Sequence, residues 1–442
     1  MHYLCAMAVP GYISRYFDAL SVPTPHLIVV LEKVESKYRE LVKAFPEGKH
    51  HYAIKANPHP DILQRLHSLG CSFECASINE IRICLASNIH PDDILYGNPI
   101  KKVSEIIESY AKGIRQFVFD SEMELEKLAM HAPGSKVLCR IITDGSGALS
   151  PLSIKFGCPK EKAIVWMQKA RTLGLVPHGI SFHTGSQQLQ PSSWEAPVRD
   201  AAEIFNALAG KTIDTMQVLD IGGGFPVNYR NRVPCIKDFG KAINRYVKNY
   251  FDGNPPFIYT EPGRYMVADA GYIQAEVVLI SPDHKDSNYR WVYLDIGRYG
   301  GLVEEKIDYP ILCHRKGKTG LVILAGQTCD SNDVIYPKEF CYQLPEKLRP
   351  GDRVILAHAG AYTTTYSTTL NGFERLSTTC VSTVDDKTSR GAIIQNASKN
   401  IFERIESANL DYFCNFQKPS AETTNRARKR QLTNQYSNSR FE

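Results

Sequence analysis

Short apolar runs alternate along the chain with longer segments in which apolar residues recur every three or four positions. The first pattern is typical of buried strands and the second of amphipathic helices. Eight strand candidates precede residue 270, at positions 51–55, 71–76, 94–97, 116–120, 136–141, 179–183, 217–221 and 257–260. This alternation predicts an α/β fold that begins with a (β/α)8 TIM-type barrel. An open doubly wound sheet is the alternative, but no G-x-G-x-x-G motif follows an early strand.

The pattern changes after residue 270, where apolar runs follow one another without long helical segments between them. Further strand candidates lie at 272–280, 291–295, 320–325, 352–358 and 377–383, and they predict an all-β second domain. We therefore predict four parts in the chain. They are an N-terminal segment (1–25) that is a candidate to pair with the β domain, the barrel (26–270), the β domain (271–410) and a disordered tail (411–442).

Composition describes an ordinary globular protein, since 43% of its 442 residues are hydrophobic and 22% are charged. The N-terminus lacks a basic region followed by an apolar run, and no stretch is long enough to span a membrane. We therefore expect a cytoplasmic protein with no membrane partner. The twelve cysteines form no C-x-x-C pair, so we expect reduced thiols and no metal site.

The net charge of +5 is unevenly distributed. From residue 411 onwards six basic and three acidic residues give +3, which leaves +2 for the rest of the chain. The basic cluster at 426–430 could contact nucleic acid or another acidic surface. Because it lies among Asn, Ser, Thr and Gln residues, a solvated tail is the simpler interpretation, and we expect no nucleic-acid partner.

The stretch HYAIKANP, residues 51–58, contains the most informative lysine of the chain. Lys55 follows three apolar or aromatic residues and precedes turn-forming ones, so it is predicted at the carboxyl end of a strand. A desolvated lysine has a lowered pKa and can form a Schiff base with a carbonyl. Considered alone, Lys55 is more simply an exposed lysine at a strand end, so the other strand ends decide between the two interpretations.

Most of the predicted strands end on a polar residue or on glycine, at the edge where barrel enzymes build active sites. These residues are Lys55, Glu74, Asn98, Asp120, Arg140, His183, Gly222, Gly223, Gly224, Glu261 and Arg264. The glycine triplet is either a tight turn or a phosphate-binding loop to which Arg264 adds positive charge. His183 is either a structural histidine or a side chain that stacks on a ring, and Glu261 could hold a proton on a heteroaromatic nitrogen. Together these groups describe a pyridoxal 5'-phosphate (PLP) site.

Motifs in a fixed order extend this interpretation over residues 20–400. They are YAIKANP, FECAS, YGNPIK, FVFDS, SIKFG, SFHTGSQ, LDIGGGFP, EPGRY, TCDSND and GAYTTTYSTTLNGF. In these motifs the chain resembles the fold type III PLP-dependent decarboxylases, which act on ornithine, lysine, arginine or diaminopimelate. The resemblance implies the fold of alanine racemase and ornithine decarboxylase, PLP as the cofactor, and a homodimer with shared active sites.

The resemblance also implies roles for individual residues. It places around the cofactor Lys55 as the Schiff-base lysine, Glu74, Arg140, His183, Ser186, Gly222, Gly223, Gly224, Glu261, Arg264 and Tyr362. Cys329 would return a proton to Cα after CO2 leaves, and with Asp330 it would reach into the neighbouring subunit's site. Free cysteine is otherwise most often a small buried apolar residue. Lys155 and Asp333 fall where the family makes an inter-subunit ion pair.

The substrate is inferred from two short segments. Asp330 follows Cys329 as in the ornithine and lysine branch, whereas diaminopimelate enzymes usually have glutamate there. Glu304, Glu305 and Asp308 lie where the family shapes the far end of the substrate pocket, and acidic residues there suit a distal ammonium group. A solvated acidic turn is the alternative. We expect Asp308 to bind substrate, and we expect a basic L-amino acid, ornithine or lysine, to give putrescine or cadaverine and CO2.

Two departures from the family pattern keep other substrates open. Glu74 stands where many ornithine enzymes have aspartate, and Gln327 replaces a common proline. Arginine, meso-diaminopimelate or a conjugated amino acid of a natural-product or siderophore pathway are the alternatives. A racemase is disfavoured because racemases tend to place arginine, not a carboxylate such as Glu261, against the pyridine nitrogen. A non-catalytic regulator resembling the antizyme inhibitors is disfavoured because the cofactor-binding residues are all present.

Overall fold

The computed structural model describes residues 10–209, 213–251 and 253–382. Its helices are α1 (Gly11–Leu20), α2 (Leu31–Ala44), α3 (Pro60–Ser68), α4 (Ile78–Ala86), α5 (Val103–Ala111), α6 (Glu122–His131), α7 (Lys160–Thr172), α8 (Glu195–Ala209), α9 (Ile236–Tyr250) and α10 (Arg264–Val267). In these parts of the chain no helix is both long and apolar enough to cross a membrane. The predicted tail, 411–442, and the end of the predicted β domain lie outside the described residues.

The strands are β1 (His26–Val30), β2 (Lys49–Ala53), β3 (Ser72–Cys75), β4 (Ile94–Tyr96), β5 (Gln116–Phe119), β6 (Lys136–Arg140), β7 (Ala148–Ser150), β8 (Val176–Ser181), β9 (Ser186–Gln188), β10 (Val218–Asp220), β11 (Phe257–Thr260), β12 (Gly271–Pro282), β13 (Tyr289–Leu294), β14 (Ile311–Cys313), β15 (Thr319–Ala325), β16 (Val334–Tyr336), β17 (Gln343–Pro345), β18 (Arg353–Ala357) and β19 (Ser377–Val381).

Eight of these strands close into a parallel barrel in the order β2-β3-β4-β5-β6-β8-β10-β11, and β11 pairs with β2. The predicted barrel is thereby confirmed, with each of the eight predicted strands overlapping an observed one. Five barrel strands each contribute one buried residue to a separate cluster of Leu95, Val118, Leu138, Val218 and Tyr259. Alternate residues of a strand point to opposite faces, so these apolar strands pack on two sides at once.

A second, mixed sheet contains nine strands, and its central path runs β14-β18-β12-β13-β15-β16. This confirms the predicted β domain, but the sheet also includes a strand from outside the range predicted for that domain. Strand β1, in the range assigned to the barrel, pairs antiparallel with β12 and parallel with β19. The N-terminal segment covers this sheet as a helix, because Ile13 and Phe17 of α1 pack against Ile28 and Val30.

The second sheet meets the barrel at the carboxyl ends of the barrel strands. After β18 the chain returns to the barrel, where the Tyr362 N–H donates to the Ala56 carbonyl oxygen at 2.8 Å. Asn57 Nδ2 donates to the Gly360 carbonyl oxygen at 3.0 Å. A Cβ at Gly271 would lie 2.2 Å from Gly360, so only glycine permits this close approach. These contacts place residues of the second sheet directly over the predicted site.

Candidate active site

Lys55 lies in a short 3-10 turn, Ile54–Ala56, that directly follows the barrel strand β2. Its Nζ donates a hydrogen bond to Oε2 of Glu74, a side chain that is only 2% exposed. Strands β2 and β3 pair in the register that sets Ala53 opposite Glu74. Strand pairing therefore brings this carboxylate to the lysine.

The pKa of Lys55 is raised, so the expectation of a lowered pKa is wrong for this state of the site. Burial alone would lower the pKa, but the negative charges of Glu74 and Glu261 and the hydrogen bond to Glu74 outweigh burial. Lys55 is therefore an ammonium ion that must lose a proton before it can attack a carbonyl. Glu74 Oε2 accepts the hydrogen bond of this ammonium and holds Nζ in place.

Three glycines that follow β10 pack closely against neighbouring backbone, Gly222 and Gly224 against residues that follow β8 and Gly223 against Glu261, which follows β11. A Cβ at Gly222 would lie 2.3 Å from the Phe182 carbonyl oxygen, and one at Gly224 would lie 2.0 Å from the Gly185 carbonyl oxygen. The φ angles of Gly222 and Gly224 are +68° and +89°, in the left-handed region that favours glycine. Side chains would therefore clash at residues 222–224, and this loop, here called the glycine cradle, has no side chains to cover its backbone N–H groups, as a phosphate-binding loop requires.

We expect Gly224→Ala to reduce PLP affinity and to lower the free energy of unfolding by about 2–4 kcal/mol. The new Cβ would meet a backbone oxygen that cannot swing away, at a positive φ angle. Gly70→Ala is the matched control, because Gly70 has φ +85° but a Cβ added there would meet no atom within 4 Å. Urea unfolding and equilibrium dialysis with PLP measure both quantities. Equal effects in the two variants would contradict the steric argument.

Arg264 is the buried cation beside this cradle and is 5% exposed. Its guanidinium donates to Ser186 Oγ at 3.3 Å, to Tyr229 Oη at 3.1 Å and to both carboxylate oxygens of Glu304 at 2.8 and 2.5 Å. Its Cζ lies 4.8 Å from the ring centroid of Tyr362. The buried Nε has no hydrogen-bond partner among the described residues, so a donor is left for an anion.

His183 lies beside the cradle as a neutral imidazole. Its Nδ1 accepts the Gly185 N–H at 3.0 Å, which leaves the proton on Nε2. Burial, with the positive charges of Arg140 and Lys55, lowers the pKa of His183 to about 3. A Cβ at Gly223 would lie 3.7 Å from Nε2, so the ring is adjacent to the glycine loop. A neutral, fixed imidazole at this place can stack on a planar ring.

Asp220, two residues before the glycine triplet, is a site residue that was not predicted from the sequence. It is fully buried, and its carboxylate accepts the Gly222 N–H at 3.0 Å and the Ser181 hydroxyl at 2.8 Å. Burial raises the pKa of Asp220 to about 6. Burial and the charges of Asp220 and Glu74 raise the pKa of Glu261, which hydrogen-bonds to Asp220, well above its usual value. The two buried carboxyl groups therefore titrate as a coupled pair, and each favours its protonated form more than an exposed carboxyl group does. The aspartate of the LDIGGG motif is the sequence feature from which this role could have been predicted.

We expect wild type to lose stability relative to Asp220→Asn as pH rises. The free energy of unfolding of wild type should fall by about 2 kcal/mol relative to that of the variant between pH 4 and pH 7. The folded pKa of Asp220 is raised, so the native protein binds more protons than the unfolded chain between the two pKa values. That contribution is complete below pH 4 and is lost as pH rises through about 6. Asparagine cannot ionise and avoids the loss. Urea unfolding over this range measures the difference, and Asp92→Asn, with a 76% exposed side chain, is the control. A flat difference would contradict the assignment.

Cys329 and Asp330 lie on a loop. In the described part of the chain, this loop makes its contacts with residues outside the cluster around Lys55. Cys329 is exposed, and its N–H and Sγ donate to Asn371 Oδ1 at 3.1 and 3.4 Å. Asp330 accepts the hydroxyl of Tyr299 at 2.9 Å. Within one chain these two residues are therefore not part of the cluster around the lysine.

The predicted interface pair also lies apart from the lysine. Asp333 is 2% exposed, and its carboxylate accepts the N–H groups of Arg298 and Thr328 at 2.7 and 3.2 Å and the Thr328 hydroxyl at 2.7 Å. Asp333 therefore organises its own loop. Lys155 is exposed, and its Nζ lies 4.9 Å from the ring centroid of Phe156.

A pocket for a distal ammonium group would require unpaired carboxylates. The carboxylates of the acidic segment 304–308 are not unpaired. Each of its three carboxylates is paired with an arginine. The pairs are Glu304–Arg264 at 2.5 Å, Glu305–Arg298 at 2.9 Å and Asp308–Arg230 at 3.2 Å. Burial raises the pKa of Asp308, although the charge of Arg230 opposes the shift. Arg264 and Arg230 come from distant parts of the chain, so local sequence did not reveal these two pairs, whereas Arg298 lies seven residues before Glu305.

The residues around Lys55 fit PLP. The glycine cradle and the unpartnered Nε of Arg264 suit a phosphate group, and the neutral imidazole of His183 suits a planar ring. The buried carboxyl group of Glu261, whose pKa is raised, suits a pyridine nitrogen, and Lys55 supplies the amine for a Schiff base. Fold and site together therefore define a PLP enzyme built on a (β/α)8 barrel.

Comparison with known proteins specifies the class. Residues 31–268 match the family described as pyridoxal-dependent decarboxylase, pyridoxal binding domain. The chain is 34% identical to a lysine/ornithine decarboxylase of Selenomonas ruminantium, over 80% of this chain and 89% of that protein. It is 32% identical to antizyme inhibitor 2 of Xenopus laevis, over 78% of both chains. The chain belongs to the family of PLP-dependent ornithine/lysine decarboxylases of fold type III.

A solved structure agrees with the fold. The structure of a lysine/ornithine decarboxylase from Vibrio vulnificus, complexed with cadaverine, superposes with a TM-score of 0.75. The two chains are 31% identical, and the match covers 84% of this chain and 97% of that one. The barrel and the second sheet are thus both shared with a decarboxylase of known structure.

Proposed function

We propose that this enzyme decarboxylates a basic L-amino acid, ornithine or lysine, and releases putrescine or cadaverine with CO2. The observation that carries the reaction type is the buried, hydrogen-bonded Asp220–Glu261 pair, which sets a carboxyl group beside the glycine cradle, where the pyridine nitrogen would lie. The names of the S. ruminantium and V. vulnificus relatives support the choice of substrate, as does Asp330 after Cys329. Such a product suggests a role in polyamine biosynthesis, which we place in the cytoplasm.

When bound, PLP supplies an electron sink for the electron pair of the breaking bond between Cα and the carboxylate. Residues 222–224, Ser186 and Arg264 would hold its phosphate. Glu261 would pair with the ring nitrogen and so strengthen the sink, and Asp220 fixes the carboxyl group of Glu261. His183 would orient the ring from one side, with Arg140 near it. Glu74 would hold Nζ of Lys55 in place through its hydrogen bond, while Tyr362 closes the site above Arg264.

We further propose that two chains form a homodimer in which each contributes to the other's site. Cys329 would donate a proton to Cα, and Asp330 would contact the substrate. The exposure of Cys329 and its distance from the cluster around Lys55 within one chain support this arrangement. Lys155 and Asp333 would then lie at the interface. Asp308 would share its carboxylate between Arg230 and the distal ammonium group of the substrate.

The test is CO2 release by PLP-loaded protein from L-ornithine, L-lysine, L-arginine and meso-diaminopimelate. We expect rapid release from ornithine or lysine. A preference for diaminopimelate, which carries a carboxylate at its distal end, would overturn the proposed roles of Asp308 and Asp330. No release from any of the four, with PLP still bound, would overturn the proposed substrate class.

A further inference from the structure

A cluster of three potential metal ligands lies outside the active site and has no role in the proposed reaction. His59, Asp61 and Cys380 each present one ligand atom, and these atoms all lie within 4.8 Å of one another. We propose that they form a binding site for a transition-metal ion, with Zn²⁺ as the best-suited ion. The site would link the barrel to the second sheet.

The fold assembles this cluster from two distant parts of the chain. His59 precedes α3 and Asp61 lies in the first turn of that helix, close after the lysine turn of the barrel. Cys380 lies on β19, where it is paired in register with Val29 of β1. From the sequence we predicted no metal site, because the cysteines form no closely spaced pairs. Ligands that converge by strand pairing leave no such spacing.

Two of the three distances between ligand atoms fit a tetrahedral ion, and the third is at most 4.8 Å. His59 Nδ1 lies 3.3 Å from Cys380 Sγ and 3.8 Å from Asp61 Oδ2. Zinc binds nitrogen, sulfur and oxygen at about 2.0–2.3 Å, so two ligand atoms on a tetrahedral ion lie roughly 3.2–3.8 Å apart. One Cys, one His and one Asp leave a fourth position for water, which can approach beside the Asp61 side chain (33% exposed). The ligand set of soft thiolate, imidazole and carboxylate favours zinc over magnesium or calcium.

The charges of the cluster also favour a cation. His59 Nδ1 accepts the Asp61 N–H at 3.3 Å and lies 3.3 Å from Cys380 Sγ, so a metal would take the place of these two contacts. Among the described residues Asp61 has no lysine or arginine within ion-pair distance; its one ion-pair contact is with His59. A metal that binds Cys380 as a thiolate would displace the thiol proton.

The first experiment uses the PLP-loaded full chain after removal of bound metals with a chelator. Titration with Co²⁺ alone is followed through the visible d–d bands of tetrahedral cobalt, which lie at longer wavelength than the cofactor's absorption. We expect one equivalent per chain, competition by Zn²⁺, and loss of the bands in Cys380→Ser and His59→Gln. Cys313→Ser is the matched control, because Cys313 is also half-buried but lies on β14.

A second measurement uses the wild-type chain, so its result does not depend on whether the variants fold. Alkylation of each cysteine is followed by mass spectrometry with and without Zn²⁺. We expect Zn²⁺ to slow the alkylation of Cys380 at least tenfold and to leave Cys313 unchanged. The proposal is overturned if Co²⁺ gives no tetrahedral bands, if the bands persist in Cys380→Ser, or if Zn²⁺ does not protect Cys380.

Discussion

Substitution of Lys55 by alanine is expected to lower kcat for decarboxylation by about 10⁴-fold, the upper end of what one positioned acid–base group contributes. Lys55 supplies the amine for the Schiff base with the cofactor, and its Nζ is held by a hydrogen bond to Glu74. Removing it also leaves the Glu74 carboxylate, 2% exposed, without its counter-charge. PLP should then still bind through its phosphate but without the visible absorption of a Schiff base. Steady-state CO2 release and absorption spectra check both effects.

Lys49→Ala is the control for this experiment. Lys49 also belongs to β2 and pairs with Asp93 at 3.3 Å, but both side chains are 37% exposed. An ion pair of this exposure contributes little, so we expect near wild-type turnover. Substantial decarboxylation by Lys55→Ala, or an equal loss in Lys49→Ala, would show that Lys55 is not the reactive lysine.

Arg264→Ala is expected to weaken PLP binding by about 100-fold and to lower the free energy of unfolding by about 3 kcal/mol. The guanidinium is the one buried cation that we assign to the phosphate, and charge-assisted hydrogen bonds to such a group are strong. Its removal also leaves Glu304, 22% exposed, without the arginine that pairs both of its oxygens. Equilibrium dialysis measures PLP affinity, and urea unfolding of the cofactor-free protein measures stability.

Arg315→Ala is the matched variant, because Arg315 also pairs with a carboxylate, that of Asp352 at 2.6 Å. Its side chain is 50% exposed and lies in the connection between β14 and β15, so we expect a loss below about 1 kcal/mol and unchanged PLP affinity. If Arg264→Ala bound PLP as tightly as this variant, the phosphate would have to lie elsewhere.

The barrel could be predicted from sequence because its strands are short, apolar and separated by amphipathic helices. The order of such strands follows from right-handed crossovers between neighbours. Strand β1 could not be assigned in the same way, since an apolar run before a helix also describes a barrel strand. Its true partners, β12 and β19, lie more than two hundred residues away along the chain. The short strands β14, β16 and β17 have three residues each and give no periodic signal.

Those active-site residues that lie at the ends of barrel strands could be predicted from the sequence. Lys55, His183, residues 222–224, Glu261 and Arg264 follow barrel strands, and the structure brings them together around one cradle. What sequence could not reveal is how their charges are balanced. The raised pKa of Lys55 depends on carboxylates from other strands.

Long-range ion pairs explain the remaining differences. Glu304 and Asp308 appear in the sequence as an acidic cluster, but each is neutralised by an arginine from the barrel half of the chain. Only the folded chain shows that the segment carries little net charge. The distal end of the substrate pocket therefore has to be established by substrate preference rather than by counting acidic residues.

The most direct test of the central claim is to locate the cofactor on the chain. PLP-loaded protein is reduced with borohydride, which fixes a Schiff base as a stable amine, and its peptides are analysed by mass spectrometry. We predict one pyridoxyl group per chain, on Lys55 of the YAIKANP peptide. A pyridoxyl group on a different lysine, or none on a protein that nevertheless releases CO2 from ornithine or lysine, would contradict the assignment of this site.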